Sequence, residues 1–150
     1  LGKAGQGTAP VRALGTVDQH SQLQLYLGGP NDKFFTVIYA DPGQEDRLIA
    51  PESRTEGELD WLIGRSLGEL LEASYRATSE ALAARGRPVR RFALPVLDAR
   101  AMGAMMMHFM LETVIAAHLL GVDPFDQPAV EQGKTLTRRY MTEFAPRLEG

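Results

Sequence analysis

Apolar residues recur at helical spacing in four parts of the chain and collapse into short continuous runs in two others. Residues 1–15 carry Gly2, Gly5, Gly7, Gly15 and Pro10 with no apolar period, so a loop leads into the first element. Thr16 then opens a helix. Gln19, three residues on, completes a capping box, Leu23, Tyr26 and Leu27 form the apolar side, and Gly28 ends it. After the turn GGPNDK, the run FFTVIYA from Phe34 to Ala40 is β-branched, aromatic and apolar at nearly every position, the pattern of a strand covered on both faces. Residues Asp41 to Arg65 are polar apart from LDWLIG and predict an excursion loop with one helical turn, long enough to be a functional or contact-making segment.

Ser66 to Arg85 predicts a helix. Ser66 and Glu69 form a second capping box, Leu67, Leu70, Leu71, Tyr75 and Leu82 recur at helical spacing, and Gly86 stops it. A short strand follows from Val89 to Leu94. Asp98 caps a long helix that is apolar around most of its circumference and runs to about Leu120, closed by Gly121. The loop VDPFDQP leads to a last helix from Ala129 to Met141 with Pro128 at its start. The alternation of helices and strands implies an α/β fold with a parallel sheet and helices on both faces. Two or three strands make a thin sheet for so many helices, which fits part of a larger doubly wound sheet. There are no internal repeats and no low-complexity tracts.

Length and composition add bounds. A chain of 150 residues has the size of a single domain, able to bury roughly 70% of its unfolded surface. With 44% apolar and 23% charged residues and a net charge of -3, neither nucleic acid nor an anionic membrane is expected as a partner. No cysteine is present, which excludes disulfides, thiolate metal sites and a cysteine nucleophile and agrees with a cytoplasmic location. The longest apolar stretch, Ala101 to Gly121, contains His108, Glu112 and His118, so a buried core helix is expected there and not a membrane span. No signal peptide is visible. The chain begins at Leu1 and not at a methionine, so further sequence upstream is expected.

Three groups of residues carry candidate chemistry. Thr16, Gln19, His20 and Gln24 crowd the first turn of the first helix, where unpaired N–H groups and the helix dipole disfavour an imidazolium. A neutral His20 there suits proton transfer in sugar-ring opening, and it equally suits a polar cap. In FDQPAVEQGK, Gln127 stands at a helix mouth while Glu131 and Lys134 share one face. A lysine so held can steady oxygen or phosphate charge, and an amide can recognise hydroxyls; the plainer alternative is a surface ion pair worth a few tenths of a kcal/mol. Methionines 102, 105, 106, 107 and 110, with Phe109 and Leu111, are expected to be adaptable core packing. His108 and Glu112 lie one turn apart and form a hydrogen-bonded pair more readily than a metal site that lacks a third ligand. GKAGQG has no strand before it and no Gly-Lys-Ser/Thr, so it is not a nucleotide-binding loop. No hydrolase elbow, zinc-protease motif or paired glycosidase carboxylates stand out.

The segment GTVDQHSQLQLYL and the later AHLLGVDPFDQPAVEQGK together resemble two landmarks of the glucose-6-phosphate isomerase family. Ala117, Leu119, Leu120, Phe125, Asp126, Gln127, Ala129, Val130, Glu131 and Lys134 satisfy its C-terminal signature throughout. The resemblance implies reversible isomerisation of glucose 6-phosphate and fructose 6-phosphate by ring opening and a cis-enediol, without metal or redox cofactor. It implies that His20 assists ring opening, that Lys134 contacts the ring or carbonyl oxygen, and that Gln127 and Gln19 bind substrate. It also implies a homodimer in which His20 serves the neighbouring subunit's site.

One departure matters. Leu1-Gly2-Lys3 resembles the tail of the family's Glu-Ser-x-Gly-Lys motif, whose glutamate is the catalytic base, and that glutamate lies beyond Leu1. The phosphate loop and the enediolate-steadying arginine lie further upstream in the family. The chain is therefore expected to be the C-terminal sugar-isomerase portion, a SIS-type, flavodoxin-like fold, inactive without the N-terminal half. A non-catalytic sugar-phosphate-binding module and a dual phosphoglucose/phosphomannose isomerase are the alternatives.

Overall fold

A computed structural model describes residues 2–43, 47–50 and 59–144. Their elements are α1 (Ser21–Gly28), β1 (Phe35–Ala40), a 3-10 turn (Asp60–Leu62), α2 (Leu67–Ala84), β2 (Val89–Leu94), α3 (Ala99–Leu119) and α4 (Pro128–Glu143). By density of contacts the chain divides into two compact units, Pro10–Met107 and Leu1–Ala9 with His108–Gly150.

In the first unit, β1 and β2 pair in parallel with α2 as the crossover, Phe35 standing opposite Val89 and Ala40 opposite Leu94. The parallel α/β pairing is the one expected from the alternation of elements; of the helices expected on both faces, α1 and α2 lie on the same one. The α2 termini follow their local chemistry. Glu69 N–H donates to Ser66 Oγ at 3.0 Å and Ser66 N–H donates to Glu69 Oε2 at 2.8 Å, so the capping box is complete. At the other end Gly86 turns left-handed (φ +67°), Gly86 N–H donates to the Ala83 carbonyl and Arg87 N–H to the Leu82 carbonyl. That pair of bonds is the Schellman ending, which favours glycine because a Cβ is strained at this φ.

Strand residues two apart share a face, so Phe35 and Tyr39 look the same way. Tyr26 of α1 packs on Phe35 with ring centroids 5.0 Å apart, and Tyr75 of α2 packs on Tyr39 at 5.5 Å. Both helices therefore rest on that face. On the opposite face Arg90 donates to Thr36 Oγ1 at 2.8 Å and lies 5.2 Å from the Phe34 ring and 5.3 Å from the Phe92 ring. Arg87 Nη2 donates to the carbonyls of Leu27 (2.9 Å) and Gly29 (2.7 Å), fastening the C-terminal end of α1 to the start of β2.

Two expectations need correction here. The first helix starts at Ser21 and not after Thr16. Asp18 accepts from Leu14 N–H at 2.6 Å and its own N–H donates to the Leu14 carbonyl, which folds residues 15–20 into turns and leaves Thr16 left-handed at φ +69°. A short polar side chain bonded to the local backbone competes with the helix, and the Thr16 capping box does not form. The second correction concerns α3. Asp98 caps it (Ala101 N–H to Oδ1, 2.7 Å) and Gly121 closes it with a second Schellman pair, as expected. Yet it is not a buried core helix: only Ala117 is fully buried, Ala101, Met105, Phe109, Glu112 and Ala116 are half-buried along one stripe, and Met102, Met106, Met107 and Met110 are exposed.

Among the described residues Leu82 and Ala117 are the only fully buried apolar side chains. Two strands offer too little sheet face to cover an all-round apolar helix. α3 is also long and apolar enough, by length and composition, to cross a bilayer. In the excursion segment the described residues show a bridge between Leu48 and Ser66 and the single turn at Asp60–Leu62; the remainder of that expected loop, 44–46 and 51–58, lies outside the described residues.

Candidate functional site

The FDQPAVEQGK segment is built by the loop between α3 and α4. Asp123 accepts from Phe125 N–H through Oδ1 at 2.8 Å, a local turn that the side-chain carboxylate closes on its own backbone. Lys3 approaches from a long sequence distance and donates to both the Asp123 carbonyl and Asp126 Oδ1. Gln127 is the N-cap of α4 but makes no side-chain capping bond, so its amide is not consumed by the helix end. Pro128 occupies the first helical position, where a missing N–H costs nothing.

One turn into α4, Lys134 Nζ donates to Glu131 Oε1 at 2.6 Å, and both side chains are more than half exposed. Asp126, Gln127, Pro128, Val130, Glu131 and Lys134 line an open hollow of about 280 Å³. Its polar groups are the Gln127 amide, the Lys134 ammonium held by the Glu131 carboxylate, and the Asp126 carboxylate, beside the apolar Pro128 and Val130. An amide, an ammonium and carboxylates together suit hydroxyl groups, and the ammonium alone among them suits a negatively charged oxygen.

Gln127, Glu131 and Lys134, anticipated from the sequence, thus meet in one hollow of the second unit. His20 and Gln19 belong to the first unit. His20 is the N-cap residue of α1 with αR backbone (φ -84°, ψ -72°), exposed, and its ring makes no capping bond; Gln19 precedes it, half-buried. His20 thus stands at the cap position considered for it, without its ring bonding the helix end. Asp126 was part of the signature, but its partnership with Lys3 was not anticipated, and only the charge of Lys3 in the LGK tail hinted at it. His108 Nε2 lies 3.6 Å from Glu112 Oε2, and no third ligand joins them in a metal-binding group among the described residues.

No family model matches the chain. A Halobacterium salinarum protein described as a probable glucose-6-phosphate isomerase is 45% identical over 141 residues, which is 94% of this chain and 32% of that protein. Over nearly its whole length the chain is thus similar to a part of proteins described as glucose-6-phosphate isomerases. The Rubrobacter xylanophilus glucose-6-phosphate isomerase is 41% identical over 91% of the chain, and a Thermus thermophilus glucose-6-phosphate isomerase is 42% identical over 89%. The crystal structure of a hypothetical protein from Thermus thermophilus superposes with a TM-score of 0.82 at 41% identity, covering 90% of this chain and 32% of that one. The chain thus spans about a third of the length of the curated glucose-6-phosphate isomerases it matches.

Proposed function

We propose that this chain is the C-terminal, SIS-type portion of a cytoplasmic glucose-6-phosphate isomerase acting in glycolysis and gluconeogenesis. The reaction interconverts glucose 6-phosphate and fructose 6-phosphate by ring opening and a cis-enediol. The observation that carries this reading is the 45% identity along 94% of the chain to a protein described as that isomerase. The hollow at the mouth of α4, which presents the Gln127 amide and the Lys134 ammonium, agrees with it.

In this reading each residue has a distinct task. Opening the ring breaks the bond between C1 and the ring oxygen, places a proton on that oxygen and removes the proton of the C1 hydroxyl as the carbonyl forms. The exposed imidazole of His20 carries the proton between the two oxygens. The Lys134 ammonium steadies charge on the ring or carbonyl oxygen, with Glu131 fixing where that ammonium sits. Gln127 and Gln19 hold sugar or phosphate oxygens by their amides. The protein works as a homodimer in which His20 serves the partner's site, and the proton abstraction at C2 falls to a glutamate supplied by the N-terminal half.

The test is an assay of the full-length protein for fructose 6-phosphate formed from glucose 6-phosphate. Turnover is expected for the full-length protein and none for residues 1–150 alone. A full-length protein with no turnover refutes the reading. Substituting His20→Ala is expected to slow turnover of cyclic substrate far more than that of an open-chain analogue; equal losses on both remove His20 from ring opening.

A further inference from the structure

The glycine-rich start of the chain is not a phosphate loop, yet it is ordered around one lysine. Lys3 and Gln6 exchange backbone hydrogen bonds (Lys3 N–H to the Gln6 carbonyl, 3.1 Å; Gln6 N–H to the Lys3 carbonyl, 2.8 Å). Between them Ala4 (φ +51°) and Gly5 (φ +71°) are both left-handed, the signature of a type I′ turn. A non-glycine residue held there costs energy, so the turn is maintained by what it presents. It presents Lys3. The Lys3 side chain is only 18% exposed, and its ammonium donates to the Asp123 carbonyl and to Asp126 Oδ1. A largely desolvated ammonium needs such partners, and here the partners are both ends of the four-residue loop that opens α4.

We propose that Lys3 is a positioning residue: it clamps the loop Asp123–Asp126 and so sets the aim of Gln127 and Lys134 in the hollow. Asp126 is the hinge of the argument. It lines the hollow and is next in sequence to Gln127, so a carboxylate pinned from one side directs the amide that follows it. Without Lys3 that loop keeps the local Asp123–Phe125 turn but loses both of the bonds that tie it to residues distant in sequence. A donor set displaced by about 1 Å loses on the order of a hundredfold in rate at most, and a loosened loop loses less. The inference rests on the isomerase reading for its kinetic consequence and on the Lys3 contacts alone for its structural one.

The experiment uses the full-length protein carrying Lys3→Met, Lys3→Arg, Asp126→Asn and the Lys3→Met/Asp126→Asn double substitution. Two readouts are taken: kcat and KM for the hexose phosphate, and amide hydrogen exchange across residues 123–127. Lys3→Met is expected to speed exchange there and to lower kcat/KM about tenfold, chiefly through kcat, with the thermal midpoint held. Lys3→Arg restores most of both, and the double variant is no worse than the poorer single one, because one interaction is removed either way. Unchanged exchange in Lys3→Met overturns the clamp. Faster exchange with unchanged kinetics, or losses that multiply in the double variant, overturns the positioning role. A wild-type protein without hexose-phosphate isomerase activity refutes the isomerase reading and the kinetic consequence together, while the exchange measurement still decides whether Lys3 holds the loop.

Discussion

Lys134 and Glu131 face water, so their 2.6 Å contact contributes at most about 1 kcal/mol to folding. A role in chemistry and a role in stability therefore separate cleanly at this residue. Lys134→Ala in the full-length protein is expected to leave the thermal midpoint within a degree or so of wild type. The same substitution is expected to lower kcat/KM at least tenfold, about 1.4 kcal/mol of transition-state stabilisation. Unchanged kinetics would return Lys134 to a surface ion pair. This pairing was legible in the sequence because three residues are one helical turn. The environment of His20 was not, since the competing bond from Leu14 N–H to Asp18 comes from residues before the helix and has no periodicity to announce it. The Lys3–Asp126 pair was hidden for a related reason: its members are 123 residues apart, and a contact at that range is a property of the fold.

Among the elements, α2 was read almost to the residue because its start and stop are written locally, in Ser66-Glu69 and in Gly86. Ser66→Ala is expected to cost about 1 kcal/mol by orphaning the Glu69 N–H, measured as a lower thermal midpoint. α1 is held differently. It has eight residues, too few to stand alone in water, and its last carbonyls are taken by the Arg87 guanidinium from the beginning of β2. Arg87→Ala is expected to cost on the order of 1–2 kcal/mol and to speed hydrogen exchange through the last turn of α1, with α2 protected as before. Equal loosening of α1 and α2 would contradict the view that Arg87 anchors α1 specifically. Arg90, on the far face of the sheet between Phe34 and Phe92, is a separate device that ties the two strands together, as its bond to Thr36 indicates.

For the molecule as a whole, the exposed apolar positions of α3 are the decisive feature. Met106, Met107, Met110, Leu111, Ile115 and Leu119 are all more than half exposed. Contiguous apolar surface of this kind marks a face that another surface covers. Residues 1–150 in isolation are therefore expected to bind an apolar dye such as ANS and to unfold without a sharp transition, whereas the full-length protein shows a cooperative melt and no dye binding. A sharp melt with no dye binding by the isolated segment would show that α3 finds its cover within residues 1–150. The expectation of a buried methionine-rich core failed for a reason of number. Composition shows how much apolar surface a helix carries, but the cover it finds depends on how many other elements pack on it, and among the described residues only Ala117 of α3 is fully buried.

What the sequence by itself determined is therefore the local and the periodic: both strands, the capping of α2 and α3, the Pro128 start of α4, and the Glu131–Lys134 face beside Gln127. Each depends on interactions within about one turn or on the alternation of a strand, so neighbouring residues contain the whole cause. Only the tertiary structure decided the rest. It joined Lys3 to Asp126, packed Tyr26 and Tyr75 on one face of β1, and left α3 largely exposed. Those outcomes turn on which distant groups meet and how much area each can cover, and neither quantity is carried by any short stretch of chain.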